Sequence, residues 1–294
     1  MSFEKRYGAW EGRKVLFIGD SLTARRVYPE VVKEILGIET FYHCKGGVGL
    51  KGMVDGDNGL GGDYDNETDA TGVLRPLTPE DVAGMDLIVL YGGYNNRNVP
   101  VGKVGDLFHA DGTGDKTMAG LMQYAIDRIY ENLYAADNMT CRILIVTVDC
   151  SGKYPWVDAD GYEESVPGMG NSLEAIANIQ RAVAAHNAIP CCDMFHTSGI
   201  NRHTWAYFGF NQNAENPNFT PYRLDENGCP VSQERIRYVK GESYYQIRDG
   251  KVTLEKYEGT APFPYIGDQV HKSPAGYRRI GEVIAGAIVA AYGN

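Results

Sequence analysis

Short apolar runs alternate with longer stretches of helical period along the chain, and that rhythm constrains the fold more than any other feature. The runs Val15–Ile18, Thr40–Cys44, Leu87–Tyr91, Arg142–Val148 and Cys191–Met194 each have the length of a buried strand. Between and after them the apolar residues recur at helical spacing, in Tyr28–Leu36, Gly120–Ala135, Ser172–His186 and Pro274–Tyr292. Strands and helices in strict alternation imply an α/β domain, a three-layer α/β/α sandwich around a central parallel sheet. Such sheets receive ligands beyond the carboxyl ends of their strands.

Two stretches break the rhythm. Gly52 to Gly72 is rich in glycine and carries Asp55, Asp57, Asp63, Asp65 and Asp69, which reads as an irregular acidic loop. It lacks the spacing and terminal glutamate of an EF-hand, so no metal site is expected there. Residues 199–264 carry turn signals at Glu226-Asn227-Gly228 and Arg248-Asp249-Gly250, the latter flanked by Tyr244–Ile247 and Lys251–Leu254. This segment is expected to be a β-rich insertion within one domain that spans residues 1–294.

Composition narrows the function. The chain has 294 residues, 43% of them hydrophobic, enough for a sizeable core, and no run of about 18 apolar residues that would cross a bilayer. A formal charge of -10 has the wrong sign for a phosphate backbone or an anionic membrane, so neither nucleic acid nor membrane is an expected partner. The six cysteines are irregularly spaced, without a C-x-x-C pair, and read mostly as buried small residues. Met1 to Arg13 carries five charged side chains and no apolar core, so no secretory signal is expected there; a cytoplasmic protein, or a secreted one whose signal has been removed, both remain open.

The sharpest local signal is Val15-Leu16-Phe17-Ile18-Gly19-Asp20-Ser21-Leu22, a buried strand that stops at glycine and presents Asp20 and Ser21 at its carboxyl end. A serine hydroxyl needs a base within hydrogen-bond reach to act as a nucleophile. Of the six histidines, His271 stands out, three residues after Asp268 and just ahead of the last helix. The carboxylate could fix the imidazole tautomer and stabilise the imidazolium as it forms.

These segments resemble two blocks of the SGNH, or GDSL, hydrolase family: Phe17-Ile18-Gly19-Asp20-Ser21-Leu22 its first and Asp268-x-x-His271 its last. Cys44-Lys45-Gly46-Gly47-Val48-Gly49 is similar to the family's N-x-G-x-x-G block, and Gly93-Tyr94-Asn95-Asn96 to its G-x-N-D block. Cys44 stands where the family has asparagine, and Asn96 where it has aspartate. The resemblance covers about residues 13–98 and 264–292 and implies the flavodoxin-like SGNH fold. It also implies an acyl-enzyme ester hydrolase with Ser21, Asp268 and His271 as catalytic residues and no cofactor. The oxyanion would be held by the Ser21 and Gly49 backbone N–H groups and the Asn95 amide, with Gly46 and Gly47 competing for the glycine role.

Asp20, Tyr94 and Trp205 are candidate substrate contacts. Trp205 belongs to an aromatic and amide-rich stretch from Asn201 to Asn216, suited to stacking on sugar rings and pairing with their hydroxyls, or to forming the insertion's own core. The leading expectation is a carbohydrate O-acetylesterase acting on an acetylated saccharide. A lipolytic esterase or thioesterase is the alternative within the same chemistry, and a non-catalytic carbohydrate-binding or assembly module the alternative outside it. A homo-oligomer is compatible with the sequence.

Overall fold

The computed structural model describes residues 8–57, 73–150, 171–201, 204, 208–209, 243–248, 251–256 and 270–293. Five parallel strands form the central sheet: β1 (Lys14–Gly19), β2 (Glu39–Cys44), β3 (Leu87–Tyr91), β4 (Arg142–Val146) and β5 (Cys191–Cys192), in the order β2-β1-β3-β4-β5. Register runs Gly19 against Cys44 on one side and Gly19 against Tyr91 on the other, so the carboxyl ends of β1, β2 and β3 finish level. Every residue of β3, and all of β1 after Lys14, is buried, as a strand covered on both faces requires. Edge strand β2 keeps partial exposure until its last two residues.

The helices lie in two groups. Helices α1 (Ser21–Ala24) and α2 (Val27–Leu36) follow β1, and α2 packs against the closing helix α8 (Pro274–Tyr292). The second group is α3 (Leu50–Asp55), α4 (Pro79–Val82), α5 (Met118–Ala135) and α6 (Leu173–His186), with α5 touching each of the others. The longer helices start on side-chain caps: Thr117 accepts from Gly120 N–H, Ser172 from Ala175 N–H and Ser273 from Gly276 N–H, with Pro274 at the first position of α8. A short helix α7 (Met194–Thr197) and a two-stranded antiparallel ribbon, β6 (Ser243–Arg248) with β7 (Lys251–Lys256), complete the described elements.

Three expectations need correction. The fourth strand ends at Val146, and beyond Thr147, whose N–H still reaches Cys192 O at 3.1 Å, the backbone donors turn to side chains: Val148 N–H to Gln180 Oε1 at 2.9 Å and Asp149 N–H to the Tyr94 hydroxyl at 2.6 Å. The fifth strand is only two residues, since Asp193 caps α7 and ends the extended run. The glycine- and aspartate-rich stretch opens as helix α3, in which Leu50, Met53 and Val54 are buried at helical spacing. Burial of that face outweighs the glycine at 52. Of the β-rich insertion, the ribbon β6–β7 forms where the Arg248-Asp249-Gly250 turn signal predicts it; the Glu226-Asn227-Gly228 signal lies outside the described residues.

Four of the five described cysteines are buried; burial pushes the thiols of Cys141, Cys191 and Cys192 up to about 12, which keeps them protonated. Among the described residues no helix is long and apolar enough to cross a membrane, and no group of His, Cys, Asp and Glu could hold a metal ion.

Candidate active site

The order β2-β1-β3 places a topological switch point between β1 and β3, where chain crossings diverge and a crevice opens at the strand ends. Ser21 stands at that point. The backbone can turn there because Gly19 has no side chain: a Cβ would lie 2.0 Å from Thr23 Oγ1 and 2.6 Å from Tyr91 O. Asp20 then caps α1, its Oδ1 accepting from Leu22 N–H at 3.0 Å, which directs the next residue, half-buried Ser21, to the rim.

His271 reaches this serine from the far end of the sequence. Its Nε2 lies 2.8 Å from Ser21 Oγ, a hydrogen bond spanning 250 residues of chain. The histidine sits two residues before Ser273, the cap of α8, in a segment held at two points. Lys272 forms a β-bridge with Gly209, and Ser273 N–H donates to Phe208 O at 2.8 Å. Asp268 and Trp205 lie outside the described residues.

The two middle blocks converge on the same rim. Asn95, in the 3-10 turn Tyr94–Asn96 after β3, is exposed, and its Nδ2 donates to Val48 O at 2.9 Å. An amide nitrogen carries two protons, so one fixes the side chain and the other stays available to a ligand. Asn96 Oδ1 accepts from Leu50 N–H at 2.7 Å, the role an aspartate would fill with the same acceptor oxygen. Gly49 sits under this pair, where a Cβ would lie 2.9 Å from both Asn96 side-chain polar atoms. By contrast Gly47 has φ +79° with nothing near it, so it serves the turn. Among the described residues, Gly49 N–H finds no protein acceptor, and Ser21 N–H, at the first position of a helix, has none by geometry.

Asp20 and Tyr94, expected as substrate contacts, are corrected by their burial at 1% and 2% exposure. Both belong to a polar cluster beneath the rim. At its centre is Asp149, fully buried just past the end of β4. Its Oδ1 accepts from the Tyr91 hydroxyl at 3.0 Å and from the Tyr94 hydroxyl, and its Oδ2 lies 3.2 Å from Lys272 Nζ, whose side chain is equally buried. The contact is an ion pair, and Lys272 Nζ also donates to Val270 O at 3.0 Å. Asp20 Oδ2 has no hydrogen-bond partner among the described residues.

Two carboxyls and one ammonium share this buried volume. Burial pushes Asp20 up to about 7, its Leu22 bond opposing, with nearby Asp149 pushing further and Lys272 opposing. Burial also raises Asp149, against the pull of Lys272 and the Tyr91 bond. With the cation and both phenols on Asp149, it is Asp20 that keeps a proton near neutrality.

Sequence reasoning missed Asp149, Lys272 and Gln180. Gln180, 1% exposed, joins the ends of β3 and β4 by donating to Gly92 O at 2.6 Å while accepting from Val148 N–H. The only signal for any of them was a polar residue inside an otherwise apolar pattern.

No family model and no curated protein matches the sequence. Solved structures do. One of a possible lipase from Chitinophaga pinensis is 17% identical, with 95% of this chain and 98% of that one covered at a TM-score of 0.56. A second is also 17% identical, covering 95% and 97% at a TM-score of 0.51. An acetyl xylan esterase is 14% identical, covering 94% and 99% at 0.46. Sheet order and full-length likeness agree on the class of fold: the chain is a flavodoxin-like α/β/α sandwich, and it shares that architecture with the possible lipase.

Proposed function

We propose that this protein is a serine ester hydrolase that works through an acyl-enzyme, and that its substrate is an O-acetylated saccharide. The observation that carries the first part is the 2.8 Å contact of His271 Nε2 with Ser21 Oγ at the switch point of a parallel sheet. His271 accepts the hydroxyl proton as Ser21 attacks the ester carbonyl, giving a tetrahedral oxyanion. The Ser21 and Gly49 N–H groups and the free proton of Asn95 Nδ2 surround that oxygen. His271 returns the proton to the leaving alcohol, and water then repeats the sequence on the acyl group. Asp268, three residues before His271, is assigned to hold the imidazole. The substrate class rests on the aromatic and amide-rich stretch from Asn201 to Asn216.

The test compares p-nitrophenyl acetate with a long-chain p-nitrophenyl ester, using Ser21→Ala as control. The expected result is acetyl preference with a Ser21→Ala loss of at least about 10³-fold in kcat/KM. Long-chain preference would replace the saccharide reading with a lipolytic one. Turnover that ignores Ser21 would end the hydrolase reading.

A further inference from the structure

Lys272 is adjacent to the proposed base but points the other way. His271 meets Ser21 at the rim, whereas the next side chain runs inward, with no exposure, to Asp149 at the end of β4. Its ammonium also binds Val270 O, the carbonyl on the opposite side of His271. One cation thus closes a loop around the histidine backbone and ties that loop to the central sheet. Asp149 is itself immobilised: Tyr91 and Tyr94 donate to its carboxylate, and its own N–H donates to the Tyr94 hydroxyl. Tyr94 immediately precedes Asn95. Phe208 and Gly209 also touch this segment, Ser273 N–H donating to Phe208 O and Lys272 forming a β-bridge with Gly209. A lysine and an aspartate without solvent exposure are a costly way to fill a core, and apolar residues of that volume would pack as well or better. The two contacts of the ammonium, 3.2 Å to Asp149 and 3.0 Å to Val270 O, suit another task, to hold a peptide in one orientation.

We propose that Lys272 is a positioning residue: by pairing with Asp149 it fixes the peptide that carries His271, and through Tyr94 links the base to the loop that carries Asn95. Catalysis by Ser21 and His271 is taken from the proposed function above. Lys272 touches no substrate. Its effect is on the fraction of molecules in which the imidazole is in line with Ser21 Oγ, so it acts on kcat rather than on KM.

The experiment compares wild type, Lys272→Met, and the double variant Lys272→Met/Asp149→Asn, which removes both charges and keeps an acceptor for the two phenols. Three quantities are measured: kcat and KM on p-nitrophenyl acetate, the thermal midpoint, and the His271 imidazole resonance in ¹³C-histidine-labelled protein, assigned with His271→Ala. In the double variant we expect a thermal midpoint close to wild type, kcat at least tenfold lower, KM within about twofold, and a shifted or doubled His271 resonance. Recovery of both kcat and the wild-type resonance along with the midpoint would show a purely structural pair and overturn the proposal. So would wild-type kcat in a folded Lys272→Met. Wild-type protein without Ser21-dependent turnover would instead remove the hydrolase reading, and the resonance alone would then decide: unchanged in the double variant, it overturns positioning; shifted or doubled, it supports it.

Discussion

Among the described residues two lysines are wholly buried, and each adjoins a loop of the candidate site. Lys45 opens the loop that ends at Gly49 and pairs with Asp57, Nζ to Oδ2 at 3.4 Å and to the Asp57 carbonyl at 3.2 Å. Lys272 adjoins His271 and pairs with Asp149. The cations are alike, but the anions are not: the Asp57 side chain is 32% exposed and that of Asp149 is 0%. Water can share the work at Asp57 and cannot at Asp149. The loop that ends at Gly49 is therefore held mainly by backbone and amide contacts, such as Asn96 to Leu50 and Asn95 to Val48, with charge as an accessory. The histidine segment depends on charge pairing in a dry interior.

The sharpest way to break this contrast is Asp149→Ala. It removes the carboxylate that pairs with buried Lys272 and accepts from the Tyr91 and Tyr94 hydroxyls. We expect a loss of about 3–5 kcal/mol in unfolding free energy, read by urea titration at pH 7, because an uncompensated buried charge is among the costliest changes a core can suffer. A loss under about 1 kcal/mol would mean that water enters the cluster.

Next in size is Asn95→Ala. The side chain is exposed and has a single protein anchor, Val48 O, so stability should change little. If its second amide proton faces the oxyanion, kcat on p-nitrophenyl acetate falls by about 10²–10³-fold with KM nearly constant. Wild-type kcat in this variant would remove Asn95 from the oxyanion site. Paired with Asp149→Ala, it separates a residue that serves only the reaction from one that also serves the fold.

How much of this was legible beforehand follows the same division. Ser21, Gly49, Asn95 and His271 were read from local blocks at strand ends, and the structure brings them to one rim because parallel strands of matched register end level. The strands themselves were readable as continuous apolar runs, since both faces of β1 and β3 are covered. The buried cluster was not. A lone lysine after a histidine reads as a surface residue, and an aspartate after an apolar run reads as a turn; only their partnership across 123 positions of chain makes either one comprehensible. Asp20 and Tyr94 failed for a related reason. Nearness to Ser21 and Asn95 in sequence suggested the rim, whereas Asp20 turns in to cap the helix after β1 and the Tyr94 hydroxyl turns in to Asp149.

The third test uses pH. Asp20 holds its proton up to about pH 7 in the folded protein, against 3.8 for an ordinary aspartate, because burial disfavours its anion. Between about pH 4 and pH 7 the folded state thus binds a proton that the unfolded chain has released. Stability then falls as pH rises through that window, by about 2 kcal/mol from pH 5 to pH 7 for this one group. Asp20→Asn should flatten the slope by about that amount in urea titrations at pH 5, 6 and 7, since the amide keeps an acceptor for Leu22 N–H. An unchanged slope would mean that Asp20 is ionised across the range and that Asp149 carries the proton.

The smallest expected effect completes the contrast. Asp57→Ala removes the exposed partner of Lys45 but leaves the Asp57 carbonyl, and with it one acceptor for the ammonium, since alanine keeps the same backbone. Partly exposed ion pairs are worth up to about 1 kcal/mol, so the loss should stay near that figure, several times below the loss for Asp149→Ala. Raising salt from 0.05 to 0.5 M should shrink the difference between Asp57→Ala and wild type, because an exposed carboxylate is screened, and leave the Asp149→Ala difference unaltered, because a dry one is not. If both variants lose the same amount and respond alike to salt, exposure of the anion is not what distinguishes the two lysines, and the loop bearing Gly49 depends on charge as much as the segment bearing His271.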